Sequence, residues 1–363
     1  MKILLGGDFH LDSAMETGLS AQSARERRNE LLLTFSRFVD TAAEHDAATV
    51  LLAGDLFDTA RATLRTRRFV GDVIASHPEI RFLMVTGNHD ADLVPLFSGA
   101  EAENLTVFPG DRFESVWLDE HTVVSGTSAP GGGELLGSLP TFSSPDGEPV
   151  FHIVLLHGQV VRSGRGTPGD IPLRALRDRG IDILALGHEH TYRAEKLDRR
   201  GIFVYAGCPE GRGFDECGVK GCALLDTDPS AERVTFLPLS RRILHEVLVD
   251  VSGCAGTDEA RRCVEAAIGN ISSGDMVKVV LTGEVAPEAD IDPLHLAQWL
   301  EGRFYFSRVS DATRLCIRPE EYIHDVSLKG GFIRAIMASK LPQEDKERAI
   351  LYGLRALRGE EIE

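Results

Sequence analysis

The sequence has no C-x-x-C pair among its six cysteines, Cys208, Cys217, Cys222, Cys254, Cys263 and Cys316. That excludes a zinc knuckle or thioredoxin-like motif and leaves the thiols free. It has no uninterrupted apolar run of transmembrane length. Its opening, Met1-Lys2-Ile3-Leu4-Leu5-Gly6-Gly7-Asp8, holds too short an apolar stretch for a signal peptide and is cut by an acid. A soluble cytoplasmic protein, with no membrane role, is the expectation. Low-complexity tracts and internal repeats are also missing, so the chain reads as fully folded. Positive charge is scarce: 39 Lys and Arg against 56 Asp and Glu give a formal net charge of -17. A protein that holds nucleic acid by backbone electrostatics alone is thereby excluded. One that brings bound divalent cations, or a basic partner subunit, is not.

At 363 residues, 43% hydrophobic and 26% charged, the chain has room for two domains of ordinary globular composition. Its first half alternates strand-length apolar runs with amphipathic helical stretches. Strands are predicted over Lys2 to Gly6, Thr49 to Ala53, Phe82 to Val85, Ile153 to Leu156 and Ile183 to Leu186. Helices are predicted over Ala21 to His45, near Leu64 to Ser76, and from Pro172. Shorter alternating segments, Val116 to Leu118, Thr122 to Ser125, Ile202 to Tyr205 and Cys222 to Leu225, suggest a second sheet. The expected fold is therefore α/β, a two-sheet sandwich flanked by helices. Past Leu244 the texture changes, which divides the chain into residues 1–242 and a smaller α+β domain, 243–363. The latter has strands at Met276 to Leu281 and Arg314 to Ile317, a helix at Pro293 to Leu300, and helical spacing in the tail at Phe332, Ile333, Ile336, Met337 and Ile350, Leu351, Leu354, Leu357.

Five short signatures follow predicted strands: Gly7-Asp8-Phe9-His10, Gly54-Asp55-Leu56-Phe57-Asp58, Gly87-Asn88-His89-Asp90, Leu156-His157-Gly158 and Gly187-His188-Glu189-His190. Loops at strand ends are where α/β folds place ligands. A lone His after a strand is usually structural, but two Asp, one Asn and four His converging from separate strand ends are too many ligands for one metal. They suit two ions sharing a bridging carboxylate. Asp-x-His and His-x-His spacings put alternate residues on one side of an extended segment, so Glu189 points away from His188 and His190. Mixed nitrogen and oxygen ligation suits manganese, iron or zinc. The run Gly164 to Gly169 matches G-x-G-x-x-G but leads into prolines instead of a helix, which excludes a dinucleotide site.

The order D-x-H, G-D-x-x-D, G-N-H-D, H-G, G-H-x-H resembles the calcineurin-like metallophosphoesterase superfamily across the first domain. The resemblance implies one metal on Asp8, His10, Asp55 and His190, a second on Asp55, Asn88, His157 and His188, and manganese as the ion. His89 becomes the candidate to protonate the leaving oxygen or stabilise the transition state, with Asp58 either orienting that imidazole or capping a helix. Further segments, Asp8 to Ser13, Ile171-Pro172-Leu173, Pro209-Glu210-Gly211-Arg212-Gly213-Phe214-Asp215-Glu216 and Ser327 to Arg334, are similar to the SbcD and YhaO group of DNA repair exonucleases. That similarity implies a DNA substrate, a second domain that caps the site, and a SbcC-like coiled-coil ATPase partner, with a homodimer left open. Arg162, Arg165 and Arg212, in glycine-rich stretches beside the signatures, are candidates to grip a phosphodiester, with solvated loop charges as the alternative. The competing readings are a phosphodiesterase or phosphatase acting on small nucleotides, and a non-catalytic metal-binding scaffold.

Overall fold

Ile3-Leu4-Leu5 and Val50-Leu51-Leu52 have no polar face, the pattern of strands covered on both sides. The computed structural model describes residues 1–363 apart from 16–17, 59–61, 90–102, 144–146, 163–166, 168, 287, 317–321 and 358–363. The chain divides into two compact units, Met1–Leu244 and His245–Glu363. The strands of the first unit are β1 (Lys2–Gly6), β2 (Ala47–Ala53), β3 (Arg81–Val85), β4 (Leu105–Val107), β5 (Glu114–Trp117), β6 (Thr122–Gly126) and β7 (Phe151–His157). They continue with β8 (Gln159–Val161), β9 (Asp170–Pro172), β10 (Ile183–Gly187), β11 (Arg193–Lys196), β12 (Ile202–Tyr205), β13 (Gly221–Asp226) and β14 (Val234–Pro238). Two six-stranded sheets result, in the orders β14-β13-β1-β2-β3-β4 and β11-β12-β10-β7-β6-β5.

Alternate residues of each strand serve different cores. Ile3, Leu5, Leu51, Ala53, Leu83 and Val85 meet Ile153, Leu155, Ile183 and Ala185 between the sheets. Leu4, Val50, Leu52, Phe82 and Met84 face the other way, onto Leu31, Phe35 and Phe38 of helix α1 (Ala21–Glu44) and Val70 and Ile74 of α2 (Leu64–Ala75). The outer face of the second sheet packs Val154, Leu156, Leu184 and Leu186 on Leu136, Leu139 and Leu173. Each buried Val, Leu, Ile, Phe or Met among them contributes roughly 1.5–3 kcal/mol. A one-residue slip would turn every one to the wrong face, so the register is fixed. That matters for function, because β1, β2 and β3 run parallel, as do β7 and β10, and their carboxyl ends are thereby held in place.

Where a helix was expected from Pro172, the structure has β9 and a single 3-10 turn, Leu173–Ala175. Asp178 and Gly180 adopt φ of 57° and 75°, left-handed conformations that stop a helix from propagating. A three-stranded sheet, Leu244–Asp250, Met276–Thr282 and Phe306–Asp311, lies in the second unit from His245 on and carries helices Thr257–Ile268 and Pro293–Leu300 over a core that includes Val264, Val279 and Leu296. The segment Arg314–Leu315 pairs with Glu284–Val285 and stays outside that sheet. Ile333, Ile350 and Leu354 bring the last two helices together, while Leu351 and Leu357 stay 37% and 46% exposed. Among the described residues no helix is long and apolar enough to cross a membrane.

His152 on β7 is buried, with Nε2 2.9 Å from Ser125 Oγ. Burial pushes its pKa down to about 4, against the pull of Asp182. The folded value lies below the unfolded one of about 6.5, so the unfolded chain takes up a proton first as pH falls. Stability should therefore drop by up to about 3 kcal/mol between pH 6.5 and 4. Urea titrations across that range should show a flatter profile for His152→Gln. An equally steep profile would assign the loss to other groups.

Candidate metal centre

The five signatures leave strands whose carboxyl ends lie together. β1 leads to Asp8 and His10, β2 to Asp55 and Asp58, β3 to Asn88 and His89, β7 ends on His157, and β10 leads to His188 and His190. The loops are short, so the backbone bends hard: Asp8, His10, Asp55 and His188 have φ of 54°, 45°, 50° and 105°. Positive φ is costly for residues bearing a Cβ and marks sites where the surroundings over-determine the conformation. The glycines allow the close packing. A Cβ on Gly54 would lie 2.6 Å from His157 Nδ1, and one on Gly87 would lie 2.1 Å from Asp55 Oδ1.

Three acceptors surround the His157 ring, one at Nδ1 and two at Nε2. His157 Nδ1 lies 2.8 Å from the Ala53 carbonyl and so carries a proton, which turns Nε2 inward. That nitrogen is 3.4 Å from Asp55 Oδ2 and 3.1 Å from Asn88 Oδ1. On the other side His10 Nε2 is 3.8 Å from the same Asp55 oxygen and faces His190 Nε2 at 3.2 Å. Asp55 thus sits between two groups of ligating atoms, with Asp8, His10 and His190 close enough together to hold one ion and Asp8, Asp55 and His157 another. The His188 ring stands 5.4 Å from that of His157, and its backbone N–H donates to Asp8 at 2.9 Å. Every expected ligand is brought to this one place.

The electrostatics show that the pocket demands positive charge. Burial pushes Asp8 up to about 6, despite His157 and His190. Burial opposes the charge on His157 too, yet the carboxylates of Asp55 and Asp8 raise it to about 9. Asp55 is held down to about 2 against its burial by His157 and the His89 N–H. The Asp55 carboxylate facing the inward ring nitrogen calls for a proton on His157 or a cation in its place. The donor set therefore fits divalent ions: hard carboxylate and amide oxygens with imidazole nitrogens.

The structure assigns the remaining residues differently from the sequence reading. His89 donates Nδ1–H to the backbone carbonyl of Asp58 at 2.7 Å, and the Asp58 carboxylate accepts instead from Arg212 Nη1 at 2.8 Å. The N-cap of α2 is Thr63 and not Asp58. Arg212 is enclosed by Asp58 and Glu216 and offers little to a substrate. Arg162 is exposed and paired with Glu195, and Arg165 lies outside the described residues. Glu189 points away from the centre, toward Gln159 and Arg193. One participant escaped the sequence reading. Glu216 accepts from His190 Nδ1 at 2.7 Å, which leaves Nε2 as the inward nitrogen. Its place in the Pro209 to Glu216 run was the available signal.

A cation entering here must displace the proton on His157, and below pH 6 that on Asp8 as well. Divalent-ion affinity should rise by up to about tenfold per pH unit from pH 6 and level off near pH 9. Calorimetric titrations in buffers of different ionisation enthalpy should detect at least one proton released at pH 7. Binding that is independent of pH would contradict this electrostatic account.

Comparison with known proteins agrees with the geometry. The chain is 25% identical over 305 residues to an uncharacterized metallophosphoesterase, YhaO, of Bacillus subtilis, covering 77% of this chain and 71% of that protein. It is 26% identical over 284 residues to the DNA double-strand break repair protein Mre11 of Aeropyrum pernix, covering 69% and 64%. To the Mre11 protein of Haloferax volcanii it is 25% identical over 279 residues, covering 72% and 58%. The chain thus spans less than two thirds of either Mre11 protein. The family model of the calcineurin-like phosphoesterases matches residues 1–192, more than half of the 363, and includes every one of the seven metal-ligand candidates. With strand-end ligands in this order and a donor set that fits divalent ions, the chain belongs to the calcineurin-like phosphoesterase family, hydrolases of phosphoester bonds built on a dimetal centre.

Proposed function

We propose that the first unit is a manganese-dependent nuclease that hydrolyses phosphodiester bonds of DNA, acting in DNA repair. The observation that carries the phosphodiesterase reading is the position of Asp55 Oδ2, 3.4 Å from His157 Nε2 and 3.8 Å from His10 Nε2, one carboxylate shared by two ligand groups. Similarity to relatives named as DNA double-strand break repair proteins supports DNA as the substrate. Asp8, His10, Asp55 and His190 would hold one ion, and Asp55, Asn88, His157 and His188 the other. The ions would supply an acidified water nucleophile and charge neutralisation at phosphorus.

The protein's own part is positioning and proton transfer. The Ala53 carbonyl and the Glu216 carboxylate keep Nε2 of His157 and His190 turned inward. His89 is exposed, and with Nδ1 committed to the Asp58 carbonyl it presents Nε2 to a bound phosphodiester. From there, when the ring carries a proton on both nitrogens, Nε2 donates one to the leaving oxygen or stabilises the charge that develops. Pairing with a SbcC-like ATPase belongs to the same reading and would supply the basic surface that a chain of net charge -17 lacks.

Labelled single-stranded, double-stranded and hairpin DNA should be degraded with manganese and spared with chelator, alongside a generic bis-ester. Hydrolysis of the bis-ester with all DNA intact would move the protein to small-substrate chemistry. His89→Asn should keep its metals and lose about 10²–10⁴-fold in kcat. Undiminished turnover would remove His89 from the reaction. Asp55→Ala should lose both ions together, and two ions retained on elemental analysis would refute the shared carboxylate.

A further inference from the structure

The loop Pro209 to Glu216 is fixed at both ends, and its middle reaches across the centre. Glu210 is fully buried and accepts from Arg27 Nη1 and Nη2, each at 3.0 Å, from Thr34 Oγ1 at 3.1 Å and from the Arg241 backbone N–H at 2.6 Å. Arg27, from α1, also donates to the Gly211 carbonyl at 2.7 Å. At the other end Glu216 is 3% exposed and accepts from the Arg212 backbone N–H at 2.7 Å and from His190 Nδ1 at 2.7 Å. Between them the Arg212 guanidinium spans two acids. Nη1 donates to Asp58 Oδ1 at 2.8 Å, while Nη2 and Nε donate to Glu216 Oε1 at 2.7 and 3.2 Å.

Each of those acids touches a different imidazole. Glu216 holds His190, and Arg212 Nη2, 3.4 Å from the same ring nitrogen, is too far to displace the shorter contact. Asp58 Oδ1 lies 3.1 Å from His10 Nδ1, without the alignment of a hydrogen bond, and the same residue's carbonyl anchors His89. One planar fork therefore joins the residues that orient His190, flank His10 and seat His89.

We infer that Arg212 is a positioning residue that sets the His10 and His190 ligand pair and, through the Asp58 backbone, the proton donor His89; this rests on the two-metal reading above. The geometry needs a guanidinium. An ammonium is a point charge and cannot bridge Asp58 and Glu216 with separate donors on one rigid plane. The effect on metal is local, because the Asp55, Asn88 and His157 cluster has its own anchor in the Ala53 carbonyl.

The test is manganese titration, with elemental stoichiometry after dialysis, of the full chain and of Arg212→Lys and Arg212→Gln, with Arg193→Gln as a control outside the loop. The inference expects both Arg212 variants to bind one of two ions 10- to 100-fold more weakly, the second ion and the control being unchanged. Loss confined to one ion is a result that general loosening of the fold does not give. The lysine variant keeps a charge between the acids should the glutamine variant fail to fold. Two ions bound with unchanged affinity in both Arg212 variants, or loss of both ions in parallel in the lysine variant, would overturn it. A wild-type chain that binds fewer than two ions would instead remove the two-metal reading on which it stands.

Discussion

Facing lone pairs, buried at the ends of two sheets, are the constraint on which the site depends. Asp8, Asp55 and His157 are nearly inaccessible, and their ligating atoms lie within 4.8 Å of one another. Acceptors in a low-dielectric pocket repel strongly unless positive charge lies between them. The fold can supply that charge as a proton, since the carboxylates of Asp55 and Asp8 raise His157 to about 9 and burial raises Asp8 to about 6, or it can take up a cation. The same repulsion that makes this pocket costly to fold favours uptake of divalent ions. A dimetal hydrolase converts that cost into affinity for the ions that carry its chemistry.

What keeps the atoms facing one another is a hierarchy of support. The inter-sheet core fixes where each strand ends, left-handed backbone at Asp8, His10, Asp55 and His188 aims the side chains, and hydrogen bonds from the second layer choose the ring nitrogen presented. The deepest layer is the Arg27 and Glu210 pair, which ties the Pro209 to Glu216 loop to α1. A buried ion pair of this kind is weak evidence for stability but is well placed to fix geometry.

The candidate ligands were legible as a group because each signature is a local run of a few residues at a strand end, where glycine, an oxygen or nitrogen donor and a preceding apolar run coincide. The sandwich was legible from the same runs: strands without a polar face require two covered faces. Contacts between distant segments were not. Glu216 meets His190 across 26 residues, and Arg27 meets Glu210 across 183. No spacing rule links such positions. Asp58 is instructive, since the sequence offered its side chain either to His89 or to a helix cap, whereas its backbone carbonyl is what holds that ring. The helix expected after Pro172 failed because Asp178 and Gly180 turn left-handed, a choice that the apolar spacing of Leu173 and Leu176 does not reveal.

The central claim is that one carboxylate, Asp55, is shared by two ions. Crystals soaked in manganese and measured at the metal's absorption edge test it most directly. The account predicts two anomalous peaks, one among Asp8, His10, Asp55 and His190 and one among Asp55, Asn88, His157 and His188. A single peak, or two peaks with Asp55 bound to neither or to only one, would contradict it.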